Sequence, residues 1–252
     1  MKTKLYVQND RFVAGMTLKD LIAPDENNMA LHVTDHPEQV INNRKKLADF
    51  LHVELDQFVC ANQTHSANFA KVTTADKGRG TTSLQDAIQN TDALYTIEPN
   101  IVLSSFTADC VPIMFYHVKC GLIGVVHSGW QGTVKEITRK LFHHLVKEEN
   151  CNPEGFFVYI GSAINQEKFE VDEDVNKKFA ALGYADEFIK YNAQTKKYHI
   201  DNQKIVKKQC EMEGIWSAQI FIDSTCTYKS DDGFSHRENK GTGRHLSFIM
   251  RK

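Results

Sequence analysis

The 252-residue chain carries 30 Lys and Arg against 32 Asp and Glu, a formal charge of −2, with 41% hydrophobic and 25% charged residues. That is the composition of an ordinary folded protein, long enough to bury a core without disulfide or metal staples. Its near-neutral balance supplies no general field for nucleic acid or anionic lipid, so neither is expected as a partner, and any bound anion must be held by local groups.

The opening stretch MKTKLYVQNDRFVAG has no apolar segment of signal-peptide type and no small-residue cleavage site. No run approaches the ~18 apolar residues of a spanning helix. A cytoplasmic protein with no membrane contact is the expectation. Helical spacing of Val40, Arg44, Leu47 and Leu51, with Pro37 suited to a first turn, predicts a helix over 37–51. Strands are predicted at 58–63, 93–96, 101–106, 111–116 and 121–126, and the polar interval 73–89 reads as an exposed loop leading into a short helix. These strands follow one another too closely for crossover helices, so pairing should be mixed or antiparallel. A helix over 134–149, a strand at 156–160, helices at 172–182 and 202–214, and closing strands at 219–222 and 246–250 complete the reading. Irregular interspersion without a βαβ period points to a mixed α/β (α+β) sandwich. No linker or repeat interrupts it, so a single domain over 1–252 is expected.

Six cysteines lie far apart with no C-x-x-C pair, which reads as reduced thiols, at least four of them buried as small hydrophobes. The glycine-rich nucleotide, P-loop, H-E-x-x-H and G-x-S-x-G motifs are absent. Chemistry must then come from residues distant in sequence. Three polar strand ends stand out: Asn62-Gln63-Thr64-His65-Ser66, Thr107-Ala108-Asp109-Cys110-Val111-Pro112, and His127-Ser128-Gly129-Trp130-Gln131-Gly132. Two imidazoles and a thiolate would leave an open position on tetrahedral zinc. The same residues also suit a metal-free Cys–His nucleophile pair, or plain scaffold histidines.

Taken in order, these segments resemble a known family. Asp35-His36-Pro37-Glu38 with Asn43-Arg44, Asn62-Gln63-Thr64-His65, Ala108-Asp109-Cys110-Val111-Pro112, His127-Ser128-Gly129-Trp130-Gln131-Gly132, Ile160-Gly161-Ser162-Ala163-Ile164 with Phe169-Glu170-Val171, and Cys226-Thr227, Phe234-Ser235-His236-Arg237 and Thr242-Gly243-Arg244 are similar to the successive motifs of the YfiH-like laccase-domain family. The likeness runs from about His32 to Arg244. Departures are Ser66 for Gly, Gln131 for Arg, Ser162 for Pro, and His236-Arg237-Glu238 for Tyr-Arg-Arg. The Gln131 exchange removes a charge from the turn.

The resemblance implies a four-layer sandwich likened to cysteine hydrolases, and a catalytic zinc held by His65, Cys110 and His127, with copper possible in vitro. It implies phosphorolysis of adenosine, inosine and methylthioadenosine, with purine nucleosides and phosphate as small-molecule partners, and deamination of adenosine by zinc-activated water. Cys110 would be fixed by the metal. Arg44, Arg237 and Arg244 are candidates for phosphate, Gln63 and Asp109 for orienting the ligands or binding substrate, and His236 for donating a proton. His32 and the remaining histidines carry no signal. A monomer is favoured. Polyphenol oxidation is the alternative that the family's older label suggests, although no His-x-His pair for a copper cluster is present. A Cys/His hydrolase editing cytoplasmic peptidoglycan precursors is another.

Overall fold

A computed structural model describes residues 1–252. Its strands are β1 (Thr3–Gln8), β2 (Phe12–Thr17), β3 (Phe58–Cys60), β4 (Phe69–Lys71), β5 (Ala93–Thr96), β6 (Val102–Thr107), β7 (Val111–His117), β8 (Ile123–Ser128), β9 (Phe156–Ile160), β10 (Glu170–Val171), β11 (Ile189–Asn192), β12 (Lys197–Ile200), β13 (Ile220–Ile222) and β14 (His245–Arg251). The helices are α1 (Pro37–Leu51), α2 (Trp130–Val134), α3 (Ile137–Lys147), α4 (Glu173–Ala180) and α5 (Asn202–Met212).

Two mixed sheets stack face to face, in the orders β1-β2-β14-β6-β3 and β13-β9-β7-β8-β5-β4. Parallel pairing is confined to β3 with β6, β4 with β5 and β13 with β9. Between the sheets lie Ala14, Leu103 and Ile249 from one and Met114, Val125 and Ile123 from the other. The outer face of the first sheet packs on α1 through Leu47, Ala48 and Leu51. The outer face of the second packs on α3 and α5 through Leu141, Phe142, Leu145 and Val206. The result is helix, sheet, sheet, helix, the four-layer arrangement expected. A small third sheet, β10-β12-β11, packs with α4 around Phe179 and Ile200 to one side.

Helix α1 and strands β5 and β9 have the predicted bounds, and the other predicted strands shift by one or a few residues. Three expectations need correction. The N-terminal hairpin of β1 and β2 was not anticipated; its turn is closed by Asn9 Oδ1, which accepts from the N–H groups of Arg11 and Phe12. The helix predicted over 134–149 runs only from Ile137 to Lys147 and is preceded by the separate short α2, because Glu136 takes the left-handed conformation (φ 60°) and its carboxylate is held by Arg139 and the Tyr184 hydroxyl. The 73–89 interval holds a short 3-10 turn (Thr74–Asp76) and no later helix. The Gln89 amide donates to the carbonyls of Leu84, Gln85 and Ala87, acceptors that a helix would need for itself.

Close packing within the second sheet gives one stability prediction. Gly124 sits opposite Phe115, and a Cβ there would lie 2.2 Å from Phe115 Cζ. Phe115 is pinned in turn by Phe142 and Phe156. Gly124→Ala is expected to destabilise the fold by about 1–3 kcal/mol through overpacking, read as a lower urea midpoint at unchanged m-value.

Candidate metal centre

Sheet pairing explains why residues far apart in sequence meet. Strands β7 and β8 are antiparallel neighbours, with Val111 opposite Ser128 and Pro112 opposite His127, so Cys110 and His127 share one end of the sheet. On the other side of β8, Ala93 pairs with Val126, which places Asp92 against the same end. His65, in the loop between β3 and β4, reaches this point in the left-handed conformation (φ 56°). Its loop is fixed by Asp92, whose carboxylate accepts from the N–H groups of Thr64, His65 and Ser66 and from the Ser66 hydroxyl. Lys135 Nζ donates to the His65 carbonyl (2.6 Å).

The ligand atoms of His65, Cys110 and His127 all lie within 4.8 Å of one another, and Cys110 Sγ is 3.9 Å from His65 Nε2. Tetrahedral zinc with one sulfur and two nitrogen ligands has ligand separations of roughly 3.3–3.6 Å, so modest side-chain rotations would close the set. Asp92 Oδ1 lies 2.8 Å from His127 Nδ1. This makes Nδ1 the donor and turns Nε2 toward the cavity as the atom that would ligate once deprotonated, the carboxylate–histidine pairing that orients metal ligands. A Cβ on Gly129 would stand 2.8 Å from His65 Cδ2 and 2.9 Å from Cys110 Sγ. The bare glycine therefore keeps open the space these ligands face. The donor types, the oriented imidazole and the cleared space all fit a borderline-soft divalent ion.

The electrostatics agree. Burial would raise the Cys110 thiol, but the charge and hydrogen bonding of His127, joined by His65, bring it down to about 6. Burial would lower His127, but Cys110 and Asp92 lift it to about 9. Burial would raise Asp92, but hydrogen bonds from His127 and Ser66 hold it at about 2. Without a metal the pair is thus a thiolate beside an imidazolium, and the Nε2 proton of His127 must leave before that ring can ligate. Asp92→Asn is expected to weaken metal retention about 10- to 100-fold, measured as faster zinc loss to a chromogenic chelator with the fold intact by circular dichroism.

These residues line a cavity of about 650 Å³, within the range of small-molecule sites. All nine residues singled out in the sequence border it, yet their groups are differently committed. The Gln63 amide is spent on the Phe106 backbone, donating to its carbonyl and accepting from its N–H. Asp109 (φ 78°) accepts from the Thr227 and Ser235 hydroxyls and the Arg237 N–H; it ties down the C-terminal loop. Neither makes a hydrogen bond to His65, Cys110 or His127; Asp92 bonds both histidines. Arg237 donates to the carbonyls of Lys168 and Glu170.

Arg44 is the unusual case. It is 1% exposed, its guanidinium lies 4.8 Å from the Phe106 ring, and it donates from Nε to the Met29 carbonyl and from Nη1 to those of Gly80 and Thr81. Burial lowers its pKa, and no carboxylate answers it. Arg244 spends only Nη1, on the Thr242 and Gly243 carbonyls. His32, without signal in the sequence, borders the same cavity; burial, then Arg244 and Arg44, hold it down at about 4. At the mouth, His236 is lowered by burial and by Arg244, so it can offer a hydrogen bond but not a ready proton. Asp92 and His32 are the residues sequence reasoning missed. Trp130, Phe169 and Asn202 also border the space.

The chain matches the family described as "Multi-copper polyphenol oxidoreductase laccase" over residues 19–252. It is 35% identical over 250 residues to "Purine nucleoside phosphorylase YlmD" of Bacillus subtilis, covering 97% of this chain and 90% of that one. It is 33% identical to "Purine nucleoside phosphorylase" of Bacteroides thetaiotaomicron, covering 86% and 81%. Among solved structures, Bacillus licheniformis hypothetical protein YfiH superposes with a TM-score of 0.91 at 34% identity, covering 96% and 93%. Neisseria meningitidis NMB0706 shares the fold at a TM-score of 0.82 and 21% identity, with full coverage of both chains.

Proposed function

This chain belongs to the multi-copper polyphenol oxidoreductase laccase family, and from that premise we propose that it is a single-domain, zinc-dependent purine nucleoside phosphorylase. Its substrates are adenosine, inosine and methylthioadenosine with phosphate, and adenosine deamination is a side activity. The observation that carries the reading is one cavity joining a His–Cys–His donor set to guanidiniums that have no carboxylate partner. The names borne by its relatives support the same reaction.

Zinc held by His65, Cys110 and His127 would supply a Lewis acid with one position open to a reactant. The chain's own groups do the rest. Cys110 serves as a ligand and not as the nucleophile. Asp92 keeps His127 in the ligating tautomer and fixes the loop that carries His65. Arg44 has two uncommitted hydrogens on Nη2 and is held rigid by three carbonyls, so it binds an anion without losing conformational freedom. With Arg244 it forms the phosphate corner, and His32, which borders the same cavity and is held neutral by burial and these two arginines, adds a hydrogen-bonding group. Phosphate placed there attacks the sugar C1′ while negative charge grows on the departing base, where hydrogen-bond donors such as His236 stabilise it. Gln131 contributes no charge to this corner.

The test is incubation of zinc-loaded protein with inosine or adenosine, with and without inorganic phosphate, followed by chromatography of the products. Free base and ribose 1-phosphate forming only with phosphate is the expected result, with phosphate-independent inosine from adenosine at a lower rate. Base release that ignores phosphate would overturn the reading.

One observation favours a second reading. Asp92, His127 and Cys110 form an acid–imidazole–thiolate series that suits a metal-free cysteine hydrolase. Alkylation separates the two: zinc ligation shields Cys110 from iodoacetamide, whereas a free nucleophile reacts rapidly.

A further inference from the structure

Away from the cavity, two thiols stand side by side. The sulfurs of Cys120 and Cys151 lie 3.5 Å apart although 31 residues separate them in sequence. Cys120 is exposed, in the turn between β7 and β8, and Cys151 is buried in the loop between α3 and β9. One imidazole holds both segments in place. His117 Nδ1 accepts from the N–H groups of Lys119 (3.3 Å) and Cys120 (3.2 Å), and Nε2 donates to the Asn152 carbonyl (2.9 Å). Burial lowers the His117 pKa, which preserves the neutral ring that this accept-and-donate pattern requires. Gly155 makes room for the ring, since a Cβ there would lie 2.2 Å from Nε2. The thiol contact is therefore built by the fold and does not depend on two freely rotating side chains.

We propose that Cys120 and Cys151 form a reversible thiol–disulfide exchange site that reacts with low-molecular-weight disulfides of the glutathione type. The exposed Cys120 gives up its proton, and its thiolate attacks one sulfur of the small disulfide. The S–S bond breaks, one small thiolate leaves and takes up a proton, and a mixed disulfide remains on Cys120. Cys151 then loses its proton to solvent and attacks the Cys120 sulfur, expelling the second small thiol. In sum, two protein thiols lose two electrons and two protons, and one small disulfide becomes two thiols. Burial and the neighbouring Cys120 push the Cys151 thiol up in the reduced protein. That fits Cys120 as the attacking group and Cys151 as the resolving one, because the repulsion from Cys120 disappears once its sulfur is in the mixed disulfide. The closed ring would span β8, α2 and α3, the segment that carries His127 and Gly129. Oxidation would therefore restrain the part of the chain that shapes one side of the cavity.

The test is equilibration of the zinc-loaded protein with oxidised glutathione, acid quench, intact mass, peptide mapping and thermal unfolding. The wild type should lose about 2 Da without a stable adduct, yield a Cys120–Cys151 cross-linked peptide, and melt several degrees higher, all reversed by reduced glutathione. Cys151→Ser should trap one glutathione on Cys120, and Cys120→Ser, a change on the surface, should form neither product. A wild type that stays reduced, or stops at the glutathione adduct while natively folded, would overturn the proposal.

Discussion

Replacing Cys110 by alanine is expected to lower phosphate-dependent base release by more than about 10³-fold and to strip the protein of bound zinc. The size follows from position: losing a group that only orients a ligand costs about 10- to 100-fold in affinity or activity, and Cys110 is itself one of the three proposed donors. The fold should survive, because the side chain is half-buried at a cavity wall and its neighbours' main hydrogen bonds run elsewhere. His127 keeps Asp92, and His65 keeps Asp92 and Lys135. The measurements are zinc stoichiometry by atomic emission and product formation with and without phosphate, beside circular dichroism. A variant as active as the wild type would trace the activity to a contaminant and remove the metal centre from the mechanism.

Gly129→Ala is expected to do nearly as much damage with a single methyl group. Gly129 has φ −65° and ψ 167°, a conformation open to any residue, so alanine adds no backbone strain. The new Cβ would lie inside van der Waals contact of both His65 and Cys110. Metal retention should fall by at least about 10-fold and turnover by about 10²-fold, as misplacement by about 1 Å commonly costs, while the melting temperature changes little. Gly241→Ala is the control. A Cβ there meets nothing nearer than Asn239 Oδ1 at 3.6 Å, and this variant should behave as wild type. Equal zinc content in both variants would show that the glycine is not what keeps the ligand space clear.

Much of this protein was legible before folding. Helix α1 announced itself by period, and its stripe of Val40, Arg44, Leu47 and Leu51 already placed an arginine among apolar residues on the buried face. Asn62 to His65, Asp109 to Cys110 and His127 to Gly132 read as polar ends on apolar strands, and a likeness running in order along the chain joined His65, Cys110 and His127 into one donor set. What the linear order could not express is who lies beside whom. Asp92 sits in an unremarkable polar stretch and becomes the organiser of the site only because β5 pairs with β8 and so sets residue 92 against residue 127. His32 borders the cavity beside Arg44 and Arg244 only because the chain before α1 is folded against it. Gln63 and Asp109 have their polar groups taken up by Phe106 and by the C-terminal loop. Side-chain chemistry and periodicity are written residue by residue. Cross-strand register and hydrogen-bond competition are settled only when distant segments meet, since a polar group serves the partner that burial leaves nearest.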